Sequence, residues 1–414
     1  MEKKKSSFNS AKLIDFIKKY AMVIVLAGVL IFFAITTGGK ILLPMNISNI
    51  ISQNAYVFIL TTGMLLCILT GGNIDLSVGS VVCFVGAVGA TLMTMPLGSA
   101  TSHLPIPVVI LAMVLTGIAI GAAQAFIIAY IRIPPFIVTL AGMLIFRGLS
   151  NIVLKGLTIS ITDYTLFVKL FGGGADCFIP DLFNLKGNLN IPFNITCILV
   201  GVIAIVIYIA SQIITRAKRI KKGYEVEKFV PYIVKMILIT AVIIAVTVQL
   251  SRHKGIPTVL IIVMAVIIIY SYITQNTTTG RYFYAVGGNE KATKLSGINT
   301  NKTFFLAYMN MGFLAAVAGM VTIARMTSAQ PTYGMNYEMD AIASCFIGGA
   351  SAYGGIGTVP AAIIGAVLMG VINLGMLIMG VDQNMQKVVK GIVLLLAVIF
   401  DVVSKRGFKI IAKN

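Results

Sequence analysis

Residues 276–302 read NTTTGRYFYAVGGNEKATKLSGINTNK, a polar stretch set between two long apolar runs. In hydrocarbon its amides and charges would lose water without gaining partners. The segment therefore belongs at an aqueous face, and the runs on either side of it read as membrane spans. Within it the residue types predict a short helix over 290–296. Asn289 supplies the N-cap, Glu290 and Lys294 stand at i,i+4 spacing to pair, and Gly297 suits the left-handed position past the end. Ala292, Leu295 and Ile298 give this helix a small apolar face. Such a helix on the surface of a membrane protein is a candidate docking site for another protein.

The rest of the 414 residues fits that frame. The chain is 58% hydrophobic and 11% charged, with a mean hydropathy of +0.97, outside the range of soluble domains. Continuous apolar runs of about twenty residues, such as 21–37 and 256–273, predict an all-α polytopic membrane protein and not a β-barrel of short alternating strands. The net charge of +19 could suggest nucleic acid, but its distribution argues against it. Of 32 Lys and Arg, six fall in 1–20, seven in 214–235, four in 275–303 and four in 404–414, the pattern of cytoplasmic segments flanking spans. The lysines before the first apolar run lack a following small-residue cleavage site, so that run is an uncleaved first span.

Spans are predicted near 20–37, 47–70, 76–95, 107–131, 135–154 and 194–213. Six crossings from a cytoplasmic N-terminus (1–19) return the chain to the basic loop 214–235 and leave 155–193 as an external loop. Two more, near 232–250 and 256–273, reach the polar stretch at the cytoplasmic face. Beyond it lie spans near 303–324, 360–379 and 387–404, the last despite Lys387 and Lys390 at its start. A short, glycine-interrupted span over 341–353 makes the parity agree with a cytoplasmic tail (405–414). The total is about 10–12 transmembrane helices, including one short broken span, in a single domain over 20–404. Residues 71–93 and 348–369 echo one another in glycine placement, a similarity that arises readily by chance in a glycine-rich membrane chain.

Few residues carry candidate chemistry. Asn73, Asp75, Ser77 and Ser80 lie in TGGNIDLSVGS between the second and third spans. Asp75 admits two compatible readings, a functional carboxylate near membrane depth and a cap for the third helix accepting from Ser77 or Val78. Gly71, Gly72 and Gly79 suit close backbone approach. Arg147 either contacts a substrate or acidic partner or snorkels outward, and the second reading is preferred. Arg132 and the Pro134–Pro135 pair are explained by topology. Glu338 and Asp340 read as solvated loop residues, with a charge pair at the outer mouth as the alternative. The spacing of Gly117 and Gly121, and of Gly365 and Gly370, reads as helix packing. His103 and His253 lack a carboxylate or cysteine cluster, and Cys67, Cys83, Cys177, Cys197 and Cys345 lack metal-ligand spacing. No metal or cofactor is expected. With no G-x-x-x-x-G-K-[ST] loop and no hydrolase pattern, neither ATP hydrolysis by that route nor another catalytic activity is expected.

Three motifs, LTGGNIDLSVGS at 69–80, IPPFIVTLAGMLIFRGL at 133–149 and GRYFYAVGGNEKATKLSGI at 280–298, resemble the permease subunits of bacterial ABC importers for monosaccharides, the ribose and xylose group. The xylose or multiple-sugar type is most similar, because it too carries extra sequence after the sixth span, here about 217–255. The resemblance implies an ABC importer permease fold in the bacterial cytoplasmic membrane, surrounded by lipid. It implies a second permease copy, a separate ABC ATPase below and an extracytoplasmic sugar-binding protein above. It also implies that Gly280, Arg281, Gly287, Gly288, Asn289, Glu290, Ala292, Leu295, Ser296 and Gly297 form the segment that couples to the ATPase, with Asn73, Asp75 and Ser77 near the translocation path. Related permeases for nucleosides, branched-chain amino acids or autoinducer sugars, and an ATP-independent secondary transporter or channel, remain as alternatives.

Overall fold

The computed structural model describes residues 22–95, 104–173, 177–183, 192–224, 226 and 229–406. The expected N-terminal segment 1–19, His103 and the tail from 407 lie outside them. The described residues are mainly helical: α1 (Met22–Thr36), α2 (Pro44–Gln53), α3 (Ala55–Leu69), α4 (Val78–Thr94), α5 (Ile106–Ile131), α6 (Pro135–Leu154), α7 (Thr165–Leu170) and α8 (Ile195–Lys221). Then come α9 (Phe229–Ser251), α10 (Thr258–Asn276), α11 (Thr278–Gly288), α12 (Glu290–Leu295), α13 (Thr300–Met326), α14 (Tyr337–Ile347), α15 (Val359–Ile378) and α16 (Gln383–Arg406). Seven helices among the described residues are long and apolar enough to cross a membrane, or eight if α2 and α3, bent by 42° at Asn54, count as one span. The protein is a polytopic all-α membrane protein. One two-residue pairing, Ile159–Ser160 with Ser328–Ala329, ties the segment after α6 to the end of α13.

Burial sorts the helices into a core and a rim. All of α3 except Tyr56 is buried, so this helix has no lipid face and must be surrounded by others. It packs against α13, α14, α15 and α10. By contrast α8 and α9 pair with each other, and α9 rests on α2. Ile207 and Val242, both more than 60% exposed, face outward, as apolar residues do where lipid is the solvent. The extra sequence after the sixth span thus supplies one rim helix, α9, laid against α8 and α2.

Lipid tails are as apolar as leucine, so close backbone packing takes over as the cohesive force between core helices. Gly117 and Gly121 on α5 meet Gly312 on α13. A Cβ added at Gly312 would lie 2.3 Å from the Gly117 carbonyl oxygen and 2.6 Å from the Gly121 Cα. Gly365 seats α15 on α14 in the same way, 2.1 Å from the Ser344 carbonyl oxygen.

The broken span differs from its expected limits. Its helix is α14, beginning at Tyr337, and at 11 residues it is about 16 Å long, half of a ~30 Å hydrocarbon layer. Residues 348–358 then turn back into α15. Glu338 and Asp340 are therefore not solvated loop residues. They lie in the first turn of α14, 9% and 1% exposed, where acidic side chains suit the positive helix end.

Substituting Gly312→Val should push α5 from α13 and destabilise the protein by about 1–3 kcal/mol, read as a lower Tm in detergent. Gly28→Ala, on the open face of α1 with nothing within 4 Å, should leave Tm unchanged.

Candidate functional site

The polar stretch forms two helices, not the single short one expected. Thr277 caps α11 by accepting from the Gly280 amide at 3.2 Å, and Gly280 lies against the carbonyls of Ile273 and Thr274 with no room for a Cβ. The chain can therefore fold sharply back from α10. At the far end of α11, a Cβ on Gly287 would sit 1.8 Å from the Leu69 carbonyl oxygen. That same oxygen accepts from the Gly355 amide at 3.0 Å. The Tyr284 hydroxyl donates to the Gly357 carbonyl at 2.8 Å. The root of the island is thus fixed to the end of α3 and to the turn before α15.

Helix α12 projects from this root. Asn289 Oδ1 accepts from the Ala292 amide at 3.0 Å, as the sequence predicts, and Gly297 has a φ of +84° past the helix end. The Thr293 hydroxyl donates to the Ala285 carbonyl at 2.8 Å and pins the inner side of α12 to α11. On the outer side Arg281, Gly288, Ala292, Ser296 and Gly297 are exposed. Leu295, at 89% exposure, stands almost free. Ile298 is half-buried.

The expected pair of Glu290 with Lys294 gives way to a longer-range one. Arg132, in the left-handed conformation at the end of α5, places Nη1 2.7 Å from Glu290 Oε1. Its other guanidinium nitrogen donates to Thr300 and Asn301 at the start of α13. Topology alone is therefore too small a role for Arg132, which joins α5, α12 and α13. Both side chains are about 40% exposed, so the pair contributes little stability, ~0–1 kcal/mol, and mainly fixes the orientation of α12.

The three residues expected near a path separate into two groups. Asn73 lines a cleft of about 310 Å³ shared with Arg132 and Glu290, beside the island. Asp75 and Ser77 are buried behind it. Asp75 Oδ1 accepts from the Ser77 amide at 2.8 Å and from its hydroxyl at 2.6 Å, and Ser77 also bonds Gln124 of α5 at 3.1 Å. Asp75 thus accepts from the Ser77 amide as expected, but Ser77 is itself the N-cap of α4, which has no side-chain cap. Arg147 turns to protein, donating to the carbonyls of Pro331 and Tyr333 at 3.0 and 2.7 Å. All five cysteines are buried.

At the opposite end of the core lies a charge cluster missing from the sequence expectations. Asp340 of α14 accepts from the Tyr56 hydroxyl at 2.8 Å and pairs with Lys390 of α16 at 2.9 Å. A lysine and an aspartate in separate apolar helices each need a partner, and that need is the signal by which they could have been matched.

Removing the cap with Asn289→Ala costs about 1 kcal/mol of α12 stability and should speed amide exchange across α12 roughly fivefold. Lys294→Ala should leave exchange unchanged, because Glu290 is held by Arg132.

The family described as branched-chain amino acid transport system / permease component matches residues 46–170 and 187–398. The chain is 33% identical over 387 residues to the xylose transport system permease protein of Haemophilus influenzae, covering 94% of this chain and 96% of that protein. Its Escherichia coli counterpart is 32% identical over 387 residues, covering 94% and 92%. The ribose import permease protein of Escherichia coli is 33% identical over 356 residues, covering 86% and 85%. No solved structure matches.

Proposed function

Because the chain belongs to the branched-chain amino acid transport system / permease component family, we propose that it is the membrane-spanning subunit of an ATP-binding cassette importer carrying a monosaccharide of the xylose or ribose kind. The energy comes from a separate ATPase subunit that docks on α11 and α12. An extracytoplasmic sugar-binding protein delivers the sugar, and a second copy of the chain completes the pore. Both termini and the island lie in the cytoplasm, in keeping with the four basic stretches.

One observation carries this reading. Leu295 projects, nearly fully exposed, from a capped helix whose root is wedged against the end of α3. An isolated exposed leucine is ordinary. This one stands on a rigid lever, and an apolar side chain so placed serves as an anchor for a partner's pocket. When ATP closes the ATPase domains, α12 moves with them, and the force passes through Gly287 into the α3 backbone and through Arg132 into α5 and α13. The pore then changes the side it faces. Asn73 sits where the moving island meets the membrane end of the path, with Asp75 and Ser77 in the wall behind it.

Reconstitution with the ATPase and binding protein tests the proposal. Sugar uptake should require ATP and all three components, whereas uptake by this chain alone would indicate a secondary transporter. Leu295→Asp should lower sugar-stimulated ATPase activity and uptake at least about tenfold, since a buried anchor is worth ~2 kcal/mol or more, while the permease keeps its Tm. Undiminished stimulation would exclude α12 as the docking element.

A further inference from the structure

Helices α3, α13 and α15 share an orientation that has a chemical consequence. Each has one end at the island: Leu69 touches Gly287, Thr300 bonds Arg132, and Val359 follows the Gly357 turn held by Tyr284. At their other ends Tyr56, Arg325 and Asn373 converge with Tyr337, Gln386 and Lys390 on one cleft of about 390 Å³. The 27 residues of α13 extend about 40 Å, so the cleft and the island lie at opposite ends of the core. With the island in the cytoplasm, the cleft faces the outer side.

The lining shows what would fit. Its one strong charge pair is already satisfied, because Lys390 and the Tyr56 hydroxyl both go to Asp340. The rings of Tyr56 and Tyr337 stack 3.6 Å apart at 15° and form an apolar wall. Two sets of hydrogen-bonding groups are left over. The half-buried Arg325 guanidinium has no hydrogen bond or ion pair among the described residues. Asn373 donates to Asn54 at 3.3 Å, but its Oδ1 is buried with no donor. Gln386 likewise spends its Nε2 on the Val381 carbonyl at 2.9 Å, which leaves its oxygen to accept. The cleft thus offers unspent donors and unspent acceptors side by side.

An ionised carboxylate would satisfy Arg325 and still leave the Asn373 oxygen without a donor, since it has no proton to give. A hydroxyl both donates and accepts. Several hydroxyls on a compact ring satisfy both sets at once, and the C–H face of the ring packs on tyrosine. The volume is within the ~300–1,000 Å³ usual for small-molecule sites. We propose that this cleft is a transit site for a neutral monosaccharide, occupied after release from the binding protein and before passage inward. The proposal rests on the reading of the chain as a sugar permease and adds the place and chemistry of recognition on its outer side.

The test uses the full complex in proteoliposomes, with xylose and ribose as probes and cyclohexanecarboxylate, an anion of similar size without hydroxyls, as control. In a Gln386→Cys variant, an impermeant thiol reagent added outside should label the new cysteine. The transported sugar should slow labelling about fivefold or more, and the hydroxyl-free carboxylate should not. Asn373→Ala should lower sugar moved per ATP hydrolysed about tenfold, as expected where a polar group bound in transit loses its partner. Labelling indifferent to the transported sugar, protection by the hydroxyl-free carboxylate instead, or an unchanged ratio in Asn373→Ala would overturn the site while leaving the permease reading intact. Failure of the unsubstituted complex to take up either sugar with ATP would overturn both.

Discussion

At the island's root, backbone packs directly on backbone. The Leu69 carbonyl faces Gly287 so closely that no side chain fits between them, and it accepts from the Gly355 amide as well. Three stretches far apart in the chain therefore share one oxygen. A side chain in the gap would bend under load; backbone in contact with backbone transmits it. Gly72 extends the same junction, since a Cβ there would lie 1.9 Å from the Ala352 carbonyl oxygen. The two segments whose glycines echo each other in the sequence thus meet face to face, which gives their shared composition a packing reason whether or not they share ancestry.

From this junction the buried helices run away from the island, and polar groups are spent differently at their two ends. Near the island, Arg132, Glu290, Thr300 and Asn301 satisfy one another. At the far end, Asp340, Tyr56 and Lys390 do the same, while Arg325 and Asn373 retain capacity. A buried polar group without a partner is costly, and the proposed transit site would give these groups one.

The architecture was legible wherever a local rule decided it. Apolar runs of sufficient length gave the spans, the spacing of Gly117 and Gly121 gave a packing face, and Asn289 with Gly297 gave both ends of α12. Local rules failed where the partner was distant. Glu290 had Lys294 four residues on and chose Arg132, 158 residues away, because the end of α5 delivers a guanidinium from outside the helix. Asp340 and Lys390 are separated by 50 residues and looked like a loop acid and a misplaced lysine until α14 and α16 were brought together. Helix α11 goes unpredicted, because its glycines are poor helix formers alone; Gly280 and Gly287 are positions at which neighbouring backbones touch. The candidate docking face was readable as residues, whereas the cleft at the far end of the core was not, since its lining is assembled from six helices.

The account stands on α12 being the contact through which an ATPase acts. The most direct measurement is a cysteine crosslink in native membranes, with Leu295→Cys as the probe and Leu199→Cys on the rim helix α8 as the control. The five native cysteines are buried, so background labelling is low. A crosslinked product between position 295 and the ATPase subunit, with none from position 199, is the result the account predicts. An intact, transporting complex in which position 295 never crosslinks to the ATPase would contradict it.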